Sequence, residues 1–248
     1  MIGLVVVSHS RALAEAAVAL AFGLLPDRGV PVRIAAGLSD TELGTDAVAV
    51  ADAITAADSG DGVLVLMDLG SAVLSAETAL DLLESPIAVR LSTGPLVEGL
   101  LSALAAASGG ADLAAVAREA ENALAAKRAQ LGDTADTGLA DSPQSSTGAE
   151  PVDDSAITET IEVTNEHGLH ARPAAALVSA LREVEAVVAL RNATTGAGPV
   201  PGDSLTRVLT LGVLPGQRLE VSAAGPDAAL AVAKVRSLAE NRDHDQPR

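Results

Sequence analysis

The chain contains no cysteine, tryptophan or tyrosine, and Phe22 is its single aromatic residue. Without cysteine the chain forms no disulfide, has no thiol nucleophile and offers no thiolate to a metal ion. The near absence of aromatic side chains excludes stacking on bases or sugars as a main mode of binding. Packed cores in this protein must therefore consist of alanine, valine, leucine and isoleucine.

Positive charge and long apolar runs are scarce as well. The formal net charge is −17, which argues against nucleic acid or an anionic membrane as a partner. No apolar stretch approaches the roughly 20 residues needed to span a bilayer. The apolar run after Met1 ends at Ser8, which is too early for a signal peptide. Together with the missing cysteine, these features favour a cytoplasmic protein.

The distribution of charge divides the chain into parts. Residues 1–130 carry 7 basic and 16 acidic side chains, whereas residues 131–156 carry 6 acidic side chains and no basic one. This middle segment is rich in Asp, Ser, Thr, Gly and Pro and holds too little apolar surface to fold, so we expect a flexible acidic linker. Its ends would lie about 28 Å apart on average if it behaves as a coil. We predict domains at 1–130 and 157–242, followed by a polar tail at 243–248.

Apolar blocks alternate with helical patterns in the first domain. The predicted strands are 2–7, 30–35, 62–67 and 87–91, and the predicted helices are 11–24, 44–57, 71–83, 96–107 and 111–129. The strands are apolar throughout, which is typical of a parallel sheet buried on both faces. Right-handed crossovers then predict a doubly wound α/β domain. Thr45 and Asp46 are both candidates for the cap of the second helix.

A different pattern characterises the second domain. Residues 157–164 alternate apolar and polar side chains, which predicts an antiparallel strand with one exposed face. Further strands are predicted at 186–190 and 219–223, with helices at 171–181, 204–211 and 225–240. We therefore expect a small α+β open-faced sandwich.

His9 follows the first strand, where the chain turns into a helix. Ligands of open α/β sheets bind at this edge, and a helix N-terminus favours anions. Ser8 and Ser10 add hydroxyls, and Ser10 and Ser71, which starts a later helix, are candidates to stabilise or orient the phosphate. Asp68 ends the third strand, so its carboxylate is placed to accept one ring N–H of His9 and to leave the other nitrogen as a nucleophile. The alternative is a solvated His9 loop and an Asp68 that caps a helix.

His170 lies at a second predicted helix start, in the sequence GLHARP. Gly168 permits a tight approach of the chain, and Pro173 suits the first turn of a helix. Arg172 is placed to pair with a phosphate as a forked donor. The same combination of a histidine, a helix start and positive potential thus occurs twice in the chain.

Other motifs with chemical meaning are missing. The sequence has no GxxxxGK[ST] loop for ATP and no GxGxxG after a strand for a dinucleotide, so we expect no bound cofactor. His167 and His170 would form a poor metal site beside Arg172, and no metal is expected. His167 and His244 are interpreted as solvated residues.

The segments GLHARPAAALV, SLTRVLTLGV and GQRLEVSAAGPDAALAV resemble the histidine-containing phosphocarrier protein (HPr) of the bacterial phosphoenolpyruvate:sugar phosphotransferase system. This resemblance covers about 157–240. It implies that His170 is phosphorylated and that Arg172 contacts the phosphate. Ser204 matches a position that a regulatory kinase phosphorylates in some carriers, although we favour a plain helix cap. Arg207 stands where many carriers have glycine, so the docking face is expected to differ.

Residues 1–130 resemble the phosphotransferase subunit of phosphoenolpyruvate-dependent dihydroxyacetone kinases, which is similar in fold to mannose-type IIA domains. The segments GLVVVSHS, IAAGLSDTELGTDAV, LVLMDLGSAVLSAETALDLL and PLVEGLLSALAAASGG carry this resemblance. It implies that His9 is phosphorylated, that Asp68 lies beside it, and that the first domain forms a homodimer.

Together the two resemblances imply a phosphoryl relay. Enzyme I, phosphorylated by phosphoenolpyruvate and supplied as a separate protein, passes the group to His170. His170 passes it to His9, which passes it to ADP on a partner kinase subunit that phosphorylates dihydroxyacetone. Two alternatives stay open at this point: a IIA component of mannose-type sugar uptake, and a regulatory binding protein that phosphorylation switches without onward transfer.

Overall fold

The computed structural model describes residues 1–25, 29–131, 156–165 and 168–240. By its internal contacts the chain divides into a first unit, Met1–Leu124, and a second unit, Ala125–Arg248. The predicted linker, apart from its end residues, lies outside the described residues, as do His167, His244 and the polar tail.

Short apolar strands and alanine-rich helices alternate along the first unit. In chain order these elements are β1 (Gly3–Ser8), α1 (Arg11–Leu24), β2 (Val32–Ala36), α2 (Ala47–Ala57), β3 (Val63–Met67), α3 (Gly70–Asp81), β4 (Val89–Leu91), α4 (Leu96–Ser108) and α5 (Leu113–Glu121). The sheet has the order β2-β1-β3-β4, and every pairing is parallel. The predicted doubly wound α/β fold is confirmed.

Alternate residues of the central strands build two apolar layers, one on each face of the sheet. Val5 and Val65 belong to a buried cluster with α2 and α3. Leu4 and Leu66 are equally buried and are the neighbours of Val5 and Val65 along the strands, so they lie on the opposite face of the sheet. Helices α1, α4 and α5 pack against the same two strands. Burial on both faces explains why β1 and β3 read as continuous apolar runs.

The outer strands differ from the prediction of uniformly buried strands. β2 and β4 lie at the edges of the sheet, and Arg33 and Arg90 within them are exposed. β4 is also shorter than predicted. An edge strand has one neighbour instead of two, so its side chains are covered less completely.

The predicted helix 111–129 is wrong as a single element. α5 ends at Glu121, and a separate helix, α6 (Ala125–Gln130), begins the second unit. Asn122 occupies the C-cap of α5, and its side-chain amide donates to the carbonyl oxygen of Arg118 at 2.8 Å. An asparagine side chain that bonds to the backbone in this way competes with helix continuation.

The second unit continues with an antiparallel sheet and helices packed on it. Its further elements are β5 (Ile157–Glu162), α7 (Ala171–Leu181), β6 (Val187–Asn192), β7 (Val200–Pro201), α8 (Leu205–Thr210), β8 (Arg218–Ala224) and α9 (Ala228–Glu240). The sheet order is β5-β8-β6-β7. Along β8, Leu219, Val221 and Ala223 are buried and alternate with more exposed residues, as expected for a sheet covered on one face.

Strand β7 lies between the predicted strand 186–190 and the predicted helix 204–211, in a Gly/Pro-rich stretch for which no element is predicted. Val200 pairs with Leu190 and Pro201 with Ala189 at the edge of the sheet. Proline has no N–H to donate and is tolerated in sheets at such an edge. A proline-rich stretch therefore predicts a turn even where a short edge strand forms. Within the part of the chain that the structure describes, no helix is both long and apolar enough to cross a membrane.

Candidate functional site

The parallel register of two neighbouring strands brings His9 and Asp68 together. Val7 of β1 is aligned with Met67 of β3, so the residues that follow both strands emerge at the same edge of the sheet. The His9 side chain is 24% exposed and that of Asp68 is 9% exposed. The imidazole is therefore accessible, while the carboxylate beneath it is largely covered.

Both oxygens of the Asp68 carboxylate accept hydrogen bonds. Oδ1 lies 2.9 Å from Nδ1 of His9 and accepts from the N–H of Leu69 at 2.6 Å. Oδ2 accepts from the backbone N–H of His9 and from the hydroxyl of Ser8, each at 2.8 Å. An ionised carboxylate only accepts hydrogen bonds, so Nδ1 carries the proton and the lone pair of neutral His9 lies on Nε2.

Opposing effects set the pKa of Asp68. Burial raises the pKa, but the hydrogen bonds from the backbone N–H groups of His9 and Leu69 and from the side chains of His9 and Ser8 lower it by more. The pKa of Asp68 therefore lies below its ordinary value of 3.8. The carboxylate is ionised at neutral pH and holds His9 in a single tautomer.

The lowered pKa of Asp68 predicts a loss of stability in acid. The ionised carboxylate stabilises the fold above the ordinary pKa of 3.8, and this contribution disappears as the pH falls through the lower folded-state value. We expect Asp68→Asn to flatten the decrease in unfolding free energy of the first unit below about pH 4. Urea titrations at several pH values, followed by backbone NMR signals of the first unit, measure the unfolding free energy. An equal dependence of this free energy on pH in both proteins would contradict a lowered pKa of Asp68.

The ring nitrogen of His9 that does not bind Asp68 lies next to a hydroxyl at a helix start. Nε2 of His9 lies 2.5 Å from Oγ of Ser71 in the first turn of α3. Leu69, the N-cap of α3, makes no side-chain capping bond. Asp68 lies one residue before this N-cap, so it is not the cap residue of α3. Ser71 thus lies at the open side of the ring, beside first-turn N–H groups that favour an anion.

The serines on either side of His9 have different positions from those expected. Ser8 is fully buried and its hydroxyl is bound to Asp68, so it supports the carboxylate and does not face a ligand. Ser10 is the N-cap of α1, and its hydroxyl accepts from the N–H of Leu13 at 3.3 Å. Ser8 is the single polar residue of the buried strand GLVVVS, and this position is the sequence signal for its inward-facing role.

His170 occupies the N-cap of α7 and is exposed, as is Arg172 in the first turn. Gly168 has a φ of +73°, and a Cβ atom there would collide with the carbonyl oxygen of Val213. The next residue, Leu169, donates its N–H to the same carbonyl oxygen at 2.9 Å. These contacts hold the loop against Val213 and present His170 at the helix start.

Replacing Gly168 with alanine is expected to destabilise the second unit strongly. Gly216→Ala is the matched control, because Gly216 has a φ of +77° and open space where the added methyl group would lie. The left-handed backbone costs about 1–2 kcal/mol in both variants. The collision adds about 1–3 kcal/mol for Gly168→Ala alone. Thermal unfolding by circular dichroism measures the difference, and equal losses would show that the Val213 contact is unimportant.

Ser204 and Arg207 lie at the start of α8, a helix of six residues. Ser204 is the N-cap and is 7% exposed, and its hydroxyl accepts from the N–H of Arg207 at 3.3 Å. The capping role that the sequence favoured is therefore present. Arg207 is exposed. Among the described residues no cluster of three or more histidine or carboxylate side chains is arranged to hold a metal ion.

Comparisons with known proteins match each unit to a family. A model described as "PTS system fructose IIA component" matches residues 3–117, and one described as "PTS HPr component phosphorylation site" matches residues 157–241. The phosphoryl donor subunit DhaM of the PEP-dependent dihydroxyacetone kinase 2 of Listeria innocua is 36% identical over 105 residues, which cover 42% of this chain and 83% of that protein. The chain belongs to the DhaM family.

Longer members of the DhaM family align along nearly the whole chain. The Pantoea ananatis DhaM subunit is 44% identical over 243 residues, which cover 96% of this chain and 50% of that protein. The Escherichia coli DhaM subunit is 41% identical over 246 residues, with coverages of 97% and 50%. The chain thus spans about half the length of these two relatives. Both resemblances found in the sequence are confirmed.

Proposed function

We propose that this chain relays phosphoryl groups from phosphoenolpyruvate, through enzyme I, to His170, then to His9, and then to ADP on a partner kinase subunit that phosphorylates dihydroxyacetone. The observation that carries the proposal is the His9 imidazole, with Nδ1 bonded to Asp68 and Nε2 at the exposed edge of the sheet. The DhaM relatives, named as phosphoryl donor subunits, support it. The functional modules are proposed to be residues 1–130 and 157–242.

The transfer to His9 is a displacement at phosphorus. The lone pair of Nε2 forms the new N–P bond while the N–P bond to the His170 ring breaks, and the electron pair of that bond returns to the His170 ring. The His9 ring gains positive charge as the bond forms, and the adjacent Asp68 carboxylate stabilises that charge without taking the Nδ1 proton. The role of Asp68 is therefore to fix the tautomer and to balance charge.

Ser71 and Ser10 are proposed to stabilise the phosphoryl group on His9. In the unmodified protein the Ser71 hydroxyl lies at Nε2. During transfer phosphorus must occupy that position, so the hydroxyl turns to a phosphoryl oxygen. Ser10 starts α1 next to His9 and acts through the helix N-terminus that it caps.

His170 is proposed to receive the group first because it is exposed at the start of an 11-residue helix. The helix N-terminus stabilises a dianion, and the exposed Arg172 guanidinium supplies a forked donor. Ser204 remains a proposed regulatory phosphosite of low accessibility, since it is 7% exposed.

The proposal is tested by incubating the full chain with enzyme I and labelled phosphoenolpyruvate. Two acid-labile phosphates per chain are expected, and both should chase to ADP when the dihydroxyacetone kinase subunits are added. The absence of label on either histidine would overturn the proposal. Label that forms but does not chase would support the regulatory binding protein instead, and a chase to a mannose-type permease would support sugar uptake.

We also propose that the first unit forms a homodimer. Leu74, Leu80 and Leu82 on or just after α3 are exposed, and β4 is an edge strand of the described sheet. Exposed apolar side chains and an edge strand both suit contact with a second copy of the chain. Sedimentation equilibrium should give twice the monomer mass, and Leu74→Glu should lower it; a monomeric wild-type chain would contradict the proposal.

A further inference from the structure

The loop between β2 and α2 is hydrogen-bonded to the backbone of Ser8 and His9. The N–H of Gly37 donates to the carbonyl oxygen of Ser8 at 3.1 Å, and the N–H of Gly44 donates to the carbonyl oxygen of His9 at 2.9 Å. The backbone on which the imidazole is mounted is thus tied to this loop. The bond between Gly44 and His9 also restricts the position of Thr45, the next residue in the chain.

Thr45 does not cap the helix that follows it. Asp46 is the N-cap of α2, and its Oδ1 accepts from the N–H of Val48 at 2.8 Å. The hydroxyl of Thr45 instead lies 2.8 Å from the hydroxyl of Ser75 on α3. Both side chains are half-buried. Their hydrogen bond joins the loop that holds the His9 backbone to the helix that carries Ser71.

Ser75 is one helical turn beyond Ser71, so both side chains lie on the same face of α3. The Ser71 hydroxyl lies at Nε2 of His9, and the Ser75 hydroxyl is bound by Thr45. A rotation or shift of the first turns of α3 would move both hydroxyls together. Holding Ser75 therefore sets the position of Ser71 relative to Nε2.

We propose that Thr45 is a positioning residue for phosphoryl transfer at His9, acting through Ser75 and α3 to keep the Ser71 hydroxyl at Nε2. This inference rests on the proposed function of His9. The helix packing does not require the Thr45–Ser75 bond, because α2 and α3 share a buried apolar cluster that includes Ile54, Ala72 and Ala76. The Thr45–Ser75 hydrogen bond therefore orients the start of α3, while the apolar cluster holds α3 against α2.

The test is Thr45→Val, which removes the hydroxyl and keeps the shape of the side chain. We expect the rate of phosphoryl transfer to His9 to fall about tenfold, since small misplacements of reacting groups cost rate in this range. The rate at His170, measured on the same chain, should not change. Thr45→Ser should restore most of the rate at His9. Thr55→Val is the matched control, because the Thr55 hydroxyl donates to Ala51 within α2.

A double substitution separates positioning from general damage. In a Ser71→Ala background, Thr45→Val should produce no further loss of rate, because the group it positions is gone. A Thr45→Val rate equal to that of the wild type would overturn the inference. A full additional loss in the Ser71→Ala background would overturn it as well, since Thr45 would then act by another route.

A readout without phosphoryl transfer keeps this inference separate from the proposed function. The ¹⁵N chemical shift of His9 Nε2 reports its hydrogen bond to Ser71 in the unmodified chain. Thr45→Val should shift this signal in the direction seen for Ser71→Ala, and Thr55→Val should leave it in place. An unchanged Nε2 signal in Thr45→Val overturns the positioning role even if His9 is never phosphorylated.

Discussion

His170→Ala is expected to remove phosphoryl label from both histidines when the chain is incubated with enzyme I and phosphoenolpyruvate alone. The label at His170 disappears because its acceptor nitrogen is gone. The label at His9 disappears because, in the proposed order, His9 receives its phosphoryl group from His170. His9→Ala should lose label from the first unit only and retain it at His170. Label is measured by proteolysis at alkaline pH and mass spectrometry.

Mixing the two variants provides the decisive control for this order. A His9→Ala chain still has His170, so it should restore label at His9 of the His170→Ala chain by transfer between molecules. His244→Ala controls for the loss of a histidine elsewhere and should label normally at both sites. Direct labelling of His9 in the His170→Ala chain, with enzyme I and no other carrier, would show that the proposed order is wrong.

Asp68→Asn is expected to slow phosphoryl transfer to His9 by about 10²–10⁴-fold, in the range known for a carboxylate that fixes a histidine tautomer. The amide of asparagine can donate to Nδ1, which would place the proton on Nε2 and remove the nucleophilic lone pair. The negative charge that balances the developing imidazolium is lost as well. Transfer to His170 should proceed at the wild-type rate and serves as the internal reference.

Asp112→Asn is the matched control for this substitution. The Asp112 carboxylate also accepts a backbone N–H at a helix start, from Ala115 at 2.7 Å, and it lies outside the His9 site. Circular dichroism should show that both variants are folded. The ¹⁵N shifts of His9 should show a change of tautomer in Asp68→Asn alone. A loss of rate below about threefold would mean that Asp68 does not control the nucleophile.

Much of the fold could be predicted from local patterns. The continuous apolar runs predicted buried parallel strands, and the alternation in residues 157–164 predicted an antiparallel sheet with one exposed face. The positions of His9 after β1 and His170 at the N-cap of α7 followed from adjacent residues, because strand ends and helix starts leave strong local signals. The failures, at Asn122 and at strand β7, involve a single side-chain bond and a two-residue pairing.

The sequence by itself determined which residue types carry the chemistry and on which elements they lie. Only the tertiary structure decided their contacts: both carboxylate oxygens of Asp68 are occupied, Ser8 turns inward, and Thr45 binds Ser75 instead of capping α2. These partners are 30 to 60 residues apart in the chain, and the register of β1 against β3 and the packing of α2 on α3 bring them together. Hydrogen bonding depends on tenths of an ångström, which residue spacing does not specify.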